Sequence, residues 1–199
     1  MGEGERRRGA PGERGEKREA ILEAALALFA ELGFHGASMP QVAERARVAA
    51  GTIYLYFESK EALVNALYRR WKQELASAMM KDFPAEAPMR EQLRALWQRR
   101  IAFALKHPRE MAFLELHHHA PYLDEESRAL ERELKAPARE LFERARAQEI
   151  VKPLPAEALI AIALGAMNGL FRASQEGELA LTQEIIDQAE GCCWEAIRR

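Results

Sequence analysis

The chain has 199 residues, 48% of them hydrophobic and 30% charged, with a formal net charge of −2. Only 4 Val, 9 Ile and 2 Thr stand against 36 Ala and 23 Leu. Strands favour β-branched side chains, whereas Ala, Leu, Glu and Arg favour helices, so a sandwich, a barrel and a doubly wound sheet are excluded and an all-α fold is expected; balanced charge means that any nucleic-acid site is local.

In chain order, residues 1–15 (MGEGERRRGAPGERG) carry almost no apolar side chain and read as a flexible N-terminal arm. Arg6, Arg7, Arg8, Arg14, Lys17 and Arg18 are interleaved there with Glu, a composition fit for phosphate or minor-groove contact or for plain solvation. Lys17 and Arg18, nearest the folded part, are the candidates for DNA contact. Helical periodicity begins near Glu16, with Ile21, Ala25, Leu28, Phe29 and Leu32 on one face, and Gly33 supplies a left-handed stop. Ser38 caps a short second helix, Gln41 completes a capping box, and Pro40 is tolerated in the first turn. A tight turn at Arg47–Ala49 leads to a short third helix from Ala50 to Phe57. Ser59 caps a long fourth, with Leu63, Leu67, Trp71 and Leu75 on one stripe, which breaks at Phe83–Pro88. Helices over about Met89–Lys106, Pro108–His118, Asp124–Gln148 (bent at Pro137), Pro155–Glu176 and Thr182–Arg198 bring the total to about nine. No stretch approaches the roughly 18–20 apolar residues of a membrane span, no secretory signal is visible, and adjacent Cys192 and Cys193 build no disulfide framework. A cytoplasmic setting is expected.

Residues 37–57 read as helix-turn-helix: one short helix to rest across the phosphate backbone and one to enter the major groove. Val42, Ala46, Val48, Ile53 and Phe57 would face inward. Ala50, Gly51, Thr52, Tyr54 and Tyr56 are small or hydrogen-bonding, as an approach to DNA requires. The string Ile21-x-x-Ala24-Ala25-x-x-Leu28-Phe29-x-x-x-Gly33-Phe34, then Val42-Ala43, then Gly51-Thr52-Ile53-Tyr54-x-Tyr56-Phe57-x-Ser59-Lys60-Glu61-x-Leu63, resembles the DNA-binding domain of TetR/AcrR-type repressors over about residues 18–64. The resemblance implies three DNA-binding helices (residues 16–62) followed by a helical effector-binding and dimerisation domain (63–199). It implies that Ser38, Thr52, Tyr54, Tyr56 and Lys60 contact phosphates and that Gln41, Ala50 and Gly51 face the groove, with Thr52 and Tyr56 reaching base edges. Arg47 stands where the family usually has Gly and Ala49 where it often has Ser. The turn therefore loses its easy positive-φ residue and the third helix a side-chain cap, at about 1 kcal/mol each, and Arg47 would compensate by touching a phosphate.

In the second domain Glu115, His118 and His119 can share one helix face, as metal ligands would. No second ligand cluster supports a metal site or a metal-dependent enzyme, and no metal or other cofactor is expected. Trp97, Phe103, Met111, Phe113, Leu114, His117, His118 and Tyr122, with Met167, Asn168 and Phe171, are the candidate effector pocket, an apolar lining with a polar handle. Gly165-x-x-x-Gly169 among Ile160 and Leu164, and the last helix with Ile186, Cys193 and Ile197, are the candidate interface of a homodimer. The sequence therefore reads as a homodimeric repressor of a palindromic operator in double-stranded DNA, released by a small, partly apolar effector. An activator or a regulator without effector is the alternative.

Overall fold

A computed structural model of the chain describes residues 11–118 and 120–199. Among the described residues there are nine helices and, in place of a sheet, one isolated antiparallel bridge between Val151 and Arg198. The basic residues expected at positions 6–8, and His119, lie outside the described residues. The chain divides into two compact units: the described residues through Arg69 with Ala112–Asp124, and Arg70–Met111 with Glu125–Arg199.

The first unit holds α1 (Pro11–Gly36), α2 (Met39–Arg45), α3 (Ala50–Ile53), the start of α4 (Lys60–Met80) and the end of α6 (Pro108–His117). Helix α1 starts five residues before the expected Glu16, so residues 11–15, read as arm, are helical. Proline suits a first turn because its missing N–H has no partner there anyway, and Lys17 Nζ reaches Glu13 Oε1 at 2.6 Å one turn along. Gly33 interrupts α1 at φ +67°, so the expected stop is a kink, after which helical backbone resumes to Gly36. Ile21, Leu22, Ala25 and Phe29 of α1, Val42 and Ala43 of α2, Ile53, Phe57, and Leu63, Val64, Leu67 and Tyr68 of α4 are all buried. Full burial of a large apolar side chain is worth about 1.5–3 kcal/mol. Trp71, expected on the α4 stripe, is only half-buried, and Val64 and Tyr68 take that place in the core.

The expected boundary at 62/63 differs from the observed division because the chain returns. Phe113, Leu114, His117 and Leu123 are buried in the first unit. Asn65 fastens the return: its Nδ2 donates to Tyr122 O at 2.8 Å and its Oδ1 accepts from Asp124 N at 2.9 Å.

The second unit holds the rest of α4 and of α6, with α5 (Met89–Lys106), α7 (Glu125–Ala147), α8 (Ala156–Gln175) and α9 (Gln183–Ile197). One core cluster joins Met89, Leu141, Phe142, Ala145, Val151, Ala156, Leu159 and Ile197; another joins Trp97, Ile101, Met167, Ile186 and Cys193. Arg90 forks onto the buried Glu190 carboxylate and lies over Trp194, which fixes α5 against α9. Three residues expected at the dimer face are thereby corrected. Ile186, Cys193 and Ile197 are buried in their own unit, because an apolar helix face serves an internal core and a subunit interface equally well. Ile160 and Leu164 are half-buried against the same clusters. The α8 face opposite is open: Ala161, Ile162, Gly165 and Gly169 are exposed, and a Cβ on either glycine would meet nothing within 4 Å. Contrary to the expectation that no stretch is apolar enough, α8 has the length and composition of a membrane span, with only 22% of its most apolar window buried.

Candidate nucleic-acid interface

The helix-turn-helix is assembled by local hydrogen bonds. At the start of α2, Gln41 Oε1 accepts from Ser38 N at 2.9 Å and from Ser38 Oγ at 2.7 Å, so the expected capping pair forms. Arg45 Nη1 meets Glu31 Oε2 at 2.9 Å and ties α2 to α1. The turn then closes through Arg47 N to Glu44 O at 3.0 Å and Val48 N to Ala43 O at 2.9 Å, with Arg47 at φ +55°. An arginine thus holds the left-handed turn position without glycine's freedom.

After α3 the backbone keeps coiling. Leu55 N donates to Thr52 O at 3.1 Å, and Tyr56 N and Phe57 N both donate to Ile53 O at 3.0 Å. Ile53 and Phe57 point inward and are buried. The opposite side is exposed at Ala50, Gly51, Tyr54 and Leu55, and half-exposed at Thr52 and Tyr56. Small residues and hydroxyls are therefore among the groups this element exposes, the donor set that phosphates and base edges take. The Arg18 guanidinium lies 5.5 Å from the Phe57 ring, so it braces α1 against the end of this element, and it remains exposed.

Lys60 departs from expectation. Its Nζ donates to Phe34 O at 2.8 Å and Ala37 O at 3.0 Å, and sits 4.2 Å from the Phe34 ring centre. The ammonium satisfies carbonyls at the end of α1, where a helix leaves acceptors unpaired, so it is largely engaged within the protein rather than with a phosphate. Lys17 is engaged with Glu13, and Arg47 is exposed.

The candidate effector residues are divided between the two units. Phe113, Leu114, His117, His118 and Tyr122 belong to the first unit; Trp97, Phe103, Met111, Met167, Asn168 and Phe171 belong to the second. His117 is fully buried, with its ring 6.1 Å from Phe29 and 4.4 Å from Phe113, and its Nδ1 pairs with the Tyr122 hydroxyl. Burial pushes the imidazole down to about 4, so it is neutral at pH 7. Its Nε2 has no hydrogen-bond partner among the described residues. Trp97 donates from Nε1 to Ile186 O at 3.2 Å, and Met111 packs with Ala104 and Phe171. These side chains build cores. Among the described residues no three of His, Cys, Asp and Glu are placed to hold a metal ion.

Two features of the second unit escaped the sequence. A groove of about 360 Å³ runs between α4 and α5, with Ala78, Ala102 and Phe103 along it and Lys81, Arg99, Lys106, His107 and Glu74 around it. A partly buried ionic cluster joins four helices: Lys72 Nζ lies 3.8 Å and Lys135 Nζ 2.7 Å from Glu131 Oε1, and Arg100 Nη2 donates to Asn168 Oδ1 at 2.8 Å. Burial, with the charges of Arg100 and Lys135, outweighs Glu131 and pushes Lys72 down to about 8. The available signal was a lysine standing in register with the buried Val64, Tyr68 and Leu75 on α4.

Two family models together cover residues 21–199. Residues 21–67 match the family model for bacterial regulatory proteins of the tetR family, and residues 68–199 match the tetracyclin repressor-like C-terminal domain. The fold is shared with a TetR family transcription regulator from Marinobacter aquaeolei VT8, at TM-score 0.85 and 24% identity over 95% of this chain and 99% of that one. It is shared too with the transcriptional regulator FadR from Bacillus subtilis in complex with stearoyl-CoA, at TM-score 0.72 and 19% identity over 90% and 98%. An uncharacterized HTH-type transcriptional regulator of Haemophilus influenzae is 34% identical over 103 residues, 52% of this chain and 55% of that protein. The curated relatives are thus matched over about half of their length or less.

Proposed function

The chain belongs to the TetR family of transcriptional regulators, and from that premise we propose that it acts as a homodimeric repressor that a small, partly apolar effector removes from a palindromic operator. It is a DNA-binding regulator rather than an enzyme. The observation that carries the reading is the outward surface of α3. Ala50 and Gly51 are exposed beside Thr52, Tyr54 and Tyr56, on an element held from behind by Ile53 and Phe57. Such a surface can approach a major groove and hydrogen-bond at its edge. Ser38, Gln41, Arg47, Lys17 and Arg18 would frame it, and the site is cytoplasmic, where the DNA is.

One α3 contacts only a few base pairs, so useful specificity needs two. The open α8 face supports a two-fold pairing of copies through Ala161, Ile162, Gly165 and Gly169, where small residues permit close helix approach. The stearoyl-CoA bound by the Bacillus subtilis neighbour supports an apolar effector with a charged end. The α4–α5 groove, with its apolar floor and cationic rim, is of a size for part of such a molecule. Release then follows if the effector binds the conformation that DNA does not, and only by its differential affinity for the two. A regulator without effector is the second reading, and the tight packing of Trp97, Met111, Met167 and Phe171 favours it.

Gel-shift titration of a duplex selected from random DNA tests the reading. Fatty acids and their CoA thioesters are expected to release the duplex. A set of such ligands that binds the protein without weakening the complex contradicts effector release, and no selected duplex at all contradicts the repressor.

A further inference from the structure

Leu55 is the most exposed large apolar side chain of the described residues, at 74% of its full accessibility. It stands in a place where exposure has no structural use. The coil from α3 through Phe57 turns Ile53 and Phe57 inward at 0% and 5% exposure, and Leu55, between them in sequence, points to the other side. It therefore shares a face with Gly51, one turn before it, and with Thr52. Gly51 presents no side chain, so a surface can approach Leu55 from that side. An isobutyl group neither donates nor accepts a hydrogen bond, so phosphate oxygens and the polar atoms of base edges offer it no partner. The major groove displays one apolar group that it can take, the thymine C5-methyl.

We propose that Leu55 reads a thymine methyl in each operator half-site and so sets a base preference that the hydroxyls of Thr52, Tyr54 and Tyr56 do not set. The assignment rests on the DNA-binding reading above. Burying one methyl against an aliphatic side chain should raise affinity about fourfold per half-site, and about fifteenfold for a symmetric pair.

The probe is the duplex selected from random DNA, remade with each symmetric pair of thymines replaced by deoxyuridine, which removes the C5-methyl and leaves the pairing edge intact. Fluorescence anisotropy compares the wild-type chain with Leu55→Ala, whose fold is checked by circular dichroism; so exposed a side chain can be cut without disturbing the core. One uracil pair should weaken the wild-type complex about fifteenfold. Leu55→Ala should bind the unmodified duplex correspondingly less tightly and be indifferent to that same pair. Binding that no uracil pair weakens, or a Leu55→Ala protein that keeps the full uracil effect, overturns the assignment and leaves the DNA-binding reading standing. A wild-type chain that selects no duplex overturns both.

Discussion

Arg47 sits at φ +55° in the turn before α3, where a Cβ is strained and glycine is not. Arg47→Gly should therefore raise stability to urea by about 0.5–1 kcal/mol; a lower midpoint would mean that the arginine side chain contributes more than its backbone costs. Lys60 makes the opposite case. Its two bonds to Phe34 O and Ala37 O hold the end of α1, so Lys60→Met should lower the same midpoint by about 1–2 kcal/mol. An unchanged midpoint with weakened DNA binding would return it to the phosphate role. At His117 the folded imidazole titrates near 4 and the unfolded one near its ordinary 6.5. Between those values the unfolded chain binds the extra proton, so stability falls as pH drops from about 6.5 to about 4 and levels off below. The loss is up to about 3 kcal/mol. His117→Gln should flatten that part of the stability–pH curve; an identical slope in both proteins would show that other groups cause it.

The elements were readable where their determinants are neighbours in sequence. The Ser38–Gln41 pair spans three residues, and Gly33 kinks α1 by itself, so the break in α1 and the start of α2 could be placed from the residues alone. The early start of α1 was hidden because a helix held by a Glu13–Lys17 pair shows no apolar stripe. The outward hydroxyls of α3 and of the coil after it were legible from the buried pair Ile53 and Phe57, whereas the exposure of Leu55 and the internal engagement of Lys60 depend on how the elements meet. Periodicity marked α8 and α9 as two-sided but did not say which side is internal; the observed core takes Ile186, Cys193 and Ile197 and leaves Ile162 outside. Ile162→Arg should therefore convert a dimer to monomer in sedimentation velocity while far-ultraviolet circular dichroism stays unchanged. A dimer that persists would locate the interface elsewhere.

At the level of the whole molecule, the return of Ala112–Asp124 into the first unit could not be read, because Asn65 and Tyr122 are 57 positions apart and no local pattern joins them. The ionic cluster on α4, α5, α7 and α8 showed only as a lysine, Lys72, in register with buried α4 positions, because its partners stand far along the chain. A net charge of −2 and a site with few cations leave little bulk attraction to DNA. On the proposed function, affinity then comes from two α3 surfaces acting together on one duplex, with a shallow dependence on salt. The direct measurement is selection of bound sequences from random duplex DNA by the purified chain. The expected result is enrichment of an inverted repeat whose half-sites lie about one helical turn, roughly 34 Å, apart or a multiple of it. Enrichment of a lone half-site, or of nothing, would contradict it.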